Sequence, residues 1–139
     1  IEAYSRRLFS GDLRTEMQYG RIWSAWENAL ASIYSNGNGG EPAGEYSRTF
    51  ARLENHYFIN KGFLGKDGHI LQKMDQIAHI PGYIVQGRYD MICPPKSAWD
   101  LSKAWPQSDL RLIRQAGHAM SEPGVSAELV KIMDQIAES

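Results

Sequence analysis

The chain is poor in cysteine, in net charge and in long apolar runs. One thiol among 139 residues, Cys93, excludes an internal disulfide framework and argues against a Cys-rich metal site. Fifteen Lys and Arg against sixteen Asp and Glu leave a net charge of −1, so electrostatics make no case for nucleic acid or an acidic membrane as partner. No apolar run approaches the roughly 20 residues that a membrane span needs. The start, IEAYSRRLFSGD, has no initiator Met and no signal-peptide core, and it reads as a start in the middle of a longer polypeptide. A reducing, cytoplasmic location is compatible with these absences. What is present is 42% hydrophobic and 22% charged, an ordinary folded composition for one domain or part of one.

The pattern along the chain divides in two. Residues 1 to 80 read as all-helical, with one helix from about Asp12 to Tyr34, capped by Asp12, and another from about Glu45 to Phe58. Leu13, Met17, Trp23, Trp26, Leu30 and Ile33 form the expected apolar face of the first; Phe50, Leu53, Tyr57 and Phe58 form that of the second. SNGNGGEPAG (35 to 44) between them is a loop, NKGFLGKDGH (60 to 69) is another, and a short helix is expected near Ile70 to Ala78. Residues 81 to 139 then read β-α-β-α: GYIVQG, a proline-started helix at 94 to 105, DLRLIRQAG, and an amphipathic helix at 124 to 137. The expected fold class is therefore α/β, a helical segment joined to the tail of a parallel sheet. Two parallel strands cannot cover both faces and both edges, so further strands are expected from elsewhere, and self-association is an alternative outcome for bare edges.

Each strand ends in a titratable residue, Asp90 after the first and His118 after the second. Functional groups of parallel sheets collect at such carboxyl ends. An aspartate that accepts from an imidazole fixes its tautomer and stabilises the imidazolium formed when that ring takes a proton. The bland alternative makes Asp90 a helix cap and His118 an incidental loop residue.

GRYDMICP (87 to 94) and GHAMSEP (117 to 123) resemble the acid and histidine segments of α/β-hydrolases, in which the order is nucleophile, acid, histidine. With WSAWENA, RLENHYF and SAWDLSKAWP added, the chain resembles the proline iminopeptidase family from about residue 8 to 137. That resemblance implies a serine aminopeptidase acting on peptides with a free N-terminal proline, with Asp90 and His118 as catalytic residues and no metal or organic cofactor. It also implies that glutamates matching WENA and ENHYF, Glu27 and Glu54, contact the substrate's amino terminus. The departure is the nucleophile. None of the twelve serines lies in G-x-S-x-G, and GVSAE (124 to 128) lacks the second glycine. The nucleophile and oxyanion hole are therefore expected upstream, in an N-terminal half that partners this piece, and the piece alone is expected to be inactive.

The residues themselves leave alternatives for the glutamates. Glu27 shares a helical face with Trp23, Leu30 and Tyr34, and Glu54 shares one with Phe50, Tyr57 and Phe58. A carboxylate on an aromatic face needs a cation or several donors. Either glutamate alone fits a structural ion pair or a less buried face; two facing one pocket would hold a protonated amino group. Trp23 and Tyr57 are pocket lining or plain core. His56, His69 and His79 lack metal-ligand spacing and read as surface or packing residues. Cys93 reads as buried filler, Arg88 as a shaper of the acid loop or a solvated residue, and Glu122 as the cap of the last helix. Two other classes compete: an esterase, epoxide hydrolase or dehalogenase, whose substrates carry no ammonium, and a non-catalytic interaction domain.

Overall fold

The computed structural model describes residues 1–33 and 44–138; Tyr34 and nearly all of the glycine-rich loop lie outside the described residues. Two compact units emerge, one from Ile1–Ala29 with Ser35–Asp67, the other from Leu30–Tyr34 with Gly68–Ser139.

The first unit is helical: α1 (Glu2–Leu8), α2 (Leu13–Ala31) and α3 (Gly44–Ile59). Asp12 caps α2, its Oδ2 accepting from the Thr15 amide at 3.1 Å and from the Thr15 hydroxyl. Leu8, Trp23 and Ala51 form the core, with Tyr4, Tyr19 and Phe50 packed around it. Tyr4 meets Trp23 edge to face at 5.4 Å between centroids.

The buried faces differ from those the apolar spacing predicts. On α2 the buried residues are Glu16, Gly20, Trp23 and Ser24; on α3 they are Ser47, Ala51 and Asn55. Trp26 is 66% exposed and Leu53 58% exposed. The reason is close approach: a Cβ on Gly20 would lie 2.8 Å from the Arg48 Cα. Small residues form this seam, and bulky ones are pushed to its flanks.

Glu16, only 3% exposed, is met by Arg48 Nε at 2.6 Å, Arg52 Nη1 at 2.7 Å and the Gly11 amide at 3.0 Å. The Gly11 amide and Arg48 hold its carboxyl below the ordinary glutamate value against the opposing effect of burial. A depressed folded value stabilises the fold above the unfolded pKa, and that contribution is lost as pH falls through the folded value. Glu16→Gln in the full-length protein is thus expected to lower the melting temperature at pH 7. The gap from wild type should stay open down to about pH 4.3, the ordinary glutamate value, and close below it. Calorimetry across that range checks this; a gap that does not depend on pH would contradict it.

In the second unit, β1 (Gly82–Gly87) and β2 (Ser108–Ile113) pair in parallel, Gly82 opposite Ser108 through Gly87 opposite Ile113. Two elements flank them: α5 (Pro95–Ala104), which joins the strands, and α6 (Pro123–Ala137). The parallel β-α-β-α order matches the expected α/β class. One correction concerns residues 70 to 78: instead of one helix there is a single turn, α4 (His69–Gln72), and a 3₁₀ turn at Met74–Gln76. Lys73, at φ −112° and ψ 14°, interrupts helical geometry between them, and only Met74 of that second turn is buried. Among the described residues, no helix is long and apolar enough to cross a membrane.

Candidate active site

Asp90 and His118 come together at the carboxyl ends of β1 and β2. His118 Nδ1 lies 2.9 Å from Asp90 Oδ2. Asp90 is 6% exposed, and each of its oxygens has two hydrogen-bond partners. Oδ1 accepts from the amides of Ile92 at 2.9 Å and Cys93 at 2.7 Å; Oδ2 accepts from Gln86 Nε2 at 3.0 Å as well as facing the imidazole. Burial alone would push this carboxyl up. The hydrogen bonds from Cys93, His118, Gln86 and Ile92 together outweigh it and hold the carboxyl below its ordinary value. An ionised Asp90 can only accept, so Nδ1 carries the hydrogen and the lone pair lies on Nε2. In the neutral ring this is the tautomer that a general base would need, and the His118 side chain is 41% exposed.

The two turns are joined by their backbones. Arg88 donates to the Ile113 carbonyl and Tyr89 to the Ala116 carbonyl, both at 2.9 Å. Gly87 makes the approach possible, because a Cβ there would lie 1.9 Å from the Gly117 carbonyl oxygen. A cleft of ≈ 750 Å³ runs beside the pair, lined by Gln86, Cys93, Met120 and the apolar α6 residues Val125, Leu129 and Ile132.

Two expectations change here, and one residue is added. Cys93 is exposed in this cleft rather than buried filler, because its amide, not its thiol, is the part that Asp90 requires. Glu122 occupies the N-cap position of α6 but makes no side-chain cap; its Oε1 accepts the Ile33 amide at 2.7 Å. Gln86 escaped the sequence reading, although a polar side chain within the apolar run YIVQG was the available signal. Arg88 is exposed, as are His56 and His79. No group of three potential ligands among the described residues is arranged to hold a metal.

Glu27 and Glu54 belong to the helical unit. Glu54 Oε2 accepts from Trp23 Nε1 at 2.7 Å and has no ion pair among the described residues. Glu27 lines a cleft of ≈ 330 Å³ with Trp23, Trp26, Tyr4, Phe58 and Ile1. Both glutamates thus border Trp23, which is 8% exposed and packs its ring against Phe58. Tyr57, about half exposed, packs against Phe63 and His56.

No family model matches the chain. Individual relatives do. The proline iminopeptidase of Arabidopsis thaliana is 48% identical over 132 residues, 94% of this chain and 35% of its own length. That of Neisseria gonorrhoeae is 43% identical over 136 residues, 98% of this chain and 43% of its own. That of Xanthomonas citri is 40% identical over 139 residues, 99% of this chain and 44% of its own. The chain spans about two fifths of the length of these curated relatives. Over that span the chain is similar to the proline iminopeptidases, and its helices and parallel strand pair are those of the C-terminal part of an α/β-hydrolase fold.

Proposed function

We propose that the full-length protein is a cytoplasmic serine aminopeptidase that releases proline from the free N-terminus of peptides. The observation that carries this reading is the 2.9 Å contact between His118 Nδ1 and a buried, fourfold hydrogen-bonded Asp90 in a chain similar to proline iminopeptidases. A serine outside this chain attacks the carbonyl of the N-terminal residue. His118 Nε2 takes the serine proton and returns it to the leaving amine, and Asp90 holds the ring and stabilises the imidazolium. The step uses no metal or organic cofactor. Without the serine and its oxyanion hole, the chain alone is inactive. The edge of β1 that has no strand partner among the described residues receives the rest of the sheet from the N-terminal half.

Glu54 and Glu27 hold the substrate ammonium. In support, the Glu54 carboxylate is oriented by the Trp23 indole, a neutral donor, and no cation pairs with it among the described residues. An uncompensated, partly buried carboxylate favours a cationic ligand. This separates the reading from an esterase or epoxide hydrolase, whose substrates carry no such charge. Glu54→Gln should lower kcat/KM on a proline arylamide by about 10- to 100-fold, as expected for losing a charge-assisted hydrogen bond of 1.5–3 kcal/mol. Hydrolysis of an N-blocked ester should change by less than about threefold. Equal losses on the two substrates would remove the ammonium role.

A further inference from the structure

We infer that Glu122 is a positioning residue for His118, acting through the Leu30–Ile33 segment; the catalytic meaning of this rests on the peptidase reading above. Glu122 is 3% exposed, and its role in the structure is not to cap α6. Its Oε1 reaches 89 positions back along the chain to accept the Ile33 amide at 2.7 Å. Two residues before Ile33, the Ala31 carbonyl accepts both the His118 amide at 2.7 Å and the Ala119 amide at 2.8 Å. The turn carrying the imidazole is therefore suspended from one carbonyl, and the end of α2 that holds that carbonyl is pinned by Glu122. Contact is tight, since a Cβ on Gly117 would lie 2.8 Å from the same Ala31 oxygen. Glu122 itself follows the turn, its amide donating to the Ala119 carbonyl at 3.0 Å. The loop from 117 to 122 and the segment from 31 to 33 thus close a ring of hydrogen bonds around the base of the imidazole.

A carboxylate oxygen and an amide oxygen accept an N–H alike, so Glu122→Gln preserves the pin and Glu122→Ala removes it. Ile33→Pro removes the donor instead, at an exposed position outside the helices. A displacement near 1 Å at a catalytic group costs up to about 100-fold in rate. In the full-length protein, Glu122→Ala and Ile33→Pro should each lower kcat on a proline arylamide by about 10- to 100-fold with KM little changed. Glu122→Gln should stay within about threefold of wild type. The second measurement is the His118 tautomer, read from long-range ¹H–¹⁵N spectra of ring-¹⁵N-histidine protein and assigned by its loss in His118→Ala. Wild type and Glu122→Gln should show the Nδ1–H form, and the other two a mixture of tautomers. Unchanged kcat and tautomer in folded Glu122→Ala would overturn the inference, as would a loss in Glu122→Gln equal to that in Glu122→Ala. If Glu122→Ala fails to fold, Ile33→Pro decides by the same two readouts. If wild type releases no proline, the peptidase reading fails while the ring spectra still decide the positioning role.

Discussion

Asp90→Asn in the full-length protein is expected to lower kcat for a proline arylamide by about 10⁴-fold with the fold intact. Both Asp90 oxygens are acceptors, and an amide can supply only one. If the amide oxygen keeps the Ile92 and Cys93 N–H groups, its nitrogen takes the place of Oδ2, facing the Gln86 Nε2 donor and the imidazole. Gln86 cannot simply turn over, because its Nε2 also donates to the Gly87 carbonyl at 3.1 Å and the Cys93 carbonyl at 3.2 Å. The imidazole can relieve its own clash by exchanging tautomers, so that Nδ1 accepts and Nε2 carries the hydrogen. A ring protonated at Nε2 has no lone pair for the nucleophile's proton. Rate falls, while substrate affinity, set elsewhere, changes little. Steady-state kinetics with circular dichroism checks this; a folded variant within tenfold of wild type would contradict the assigned role.

Acid has a related effect with a defined direction. The folded Asp90 carboxyl is held below its ordinary value, so its contribution to stability is complete above the unfolded aspartate value of about 3.9. It is lost as pH falls through the depressed folded value. The orientation of His118 is therefore expected to persist through the mildly acidic range, so that in the proposed reaction Asp90 should not set the acid limb of the rate profile.

The strands, the proline-started helix, the closing amphipathic helix and the residues beyond the strand ends were legible because their signals are local. GYIVQG has β-rich composition closed by glycine, Pro95 sits at the start of its helix, and Asp90 and His118 follow shortly after the strands. The helical unit was legible in its elements but not in its faces. Spacing of large apolar residues marks a helix; it does not reveal that Gly20, Ser47 and Ala51 let two backbones meet and leave Trp26 and Leu53 outside. The buried ion pairs of Glu16 leave no local signal, since the arginines that pair with it lie 32 and 36 positions away. Glu122 was read as a helix cap for the same reason: its partner is a backbone amide far along the chain, and no side-chain pattern encodes that. Gln86 stood in plain view within an apolar strand, next to the acid whose hydrogen bonds it completes.

The base itself supplies the second large effect. In the proposed reaction His118 moves the proton in both halves, so its loss is not expected to be offset by the residues around it. In a comparable triad, removing the nucleophile or the base alone costs about as much as removing all three members, roughly 10⁶-fold in kcat. Release of proline from a proline arylamide by full-length wild type and His118→Ala, with folding verified for both, is the most direct test of the account. A fall of about 10⁴-fold or more, to a residue of activity that no longer responds to Asp90→Asn, is the predicted result. Turnover by the His118→Ala protein within about tenfold of wild type would contradict it.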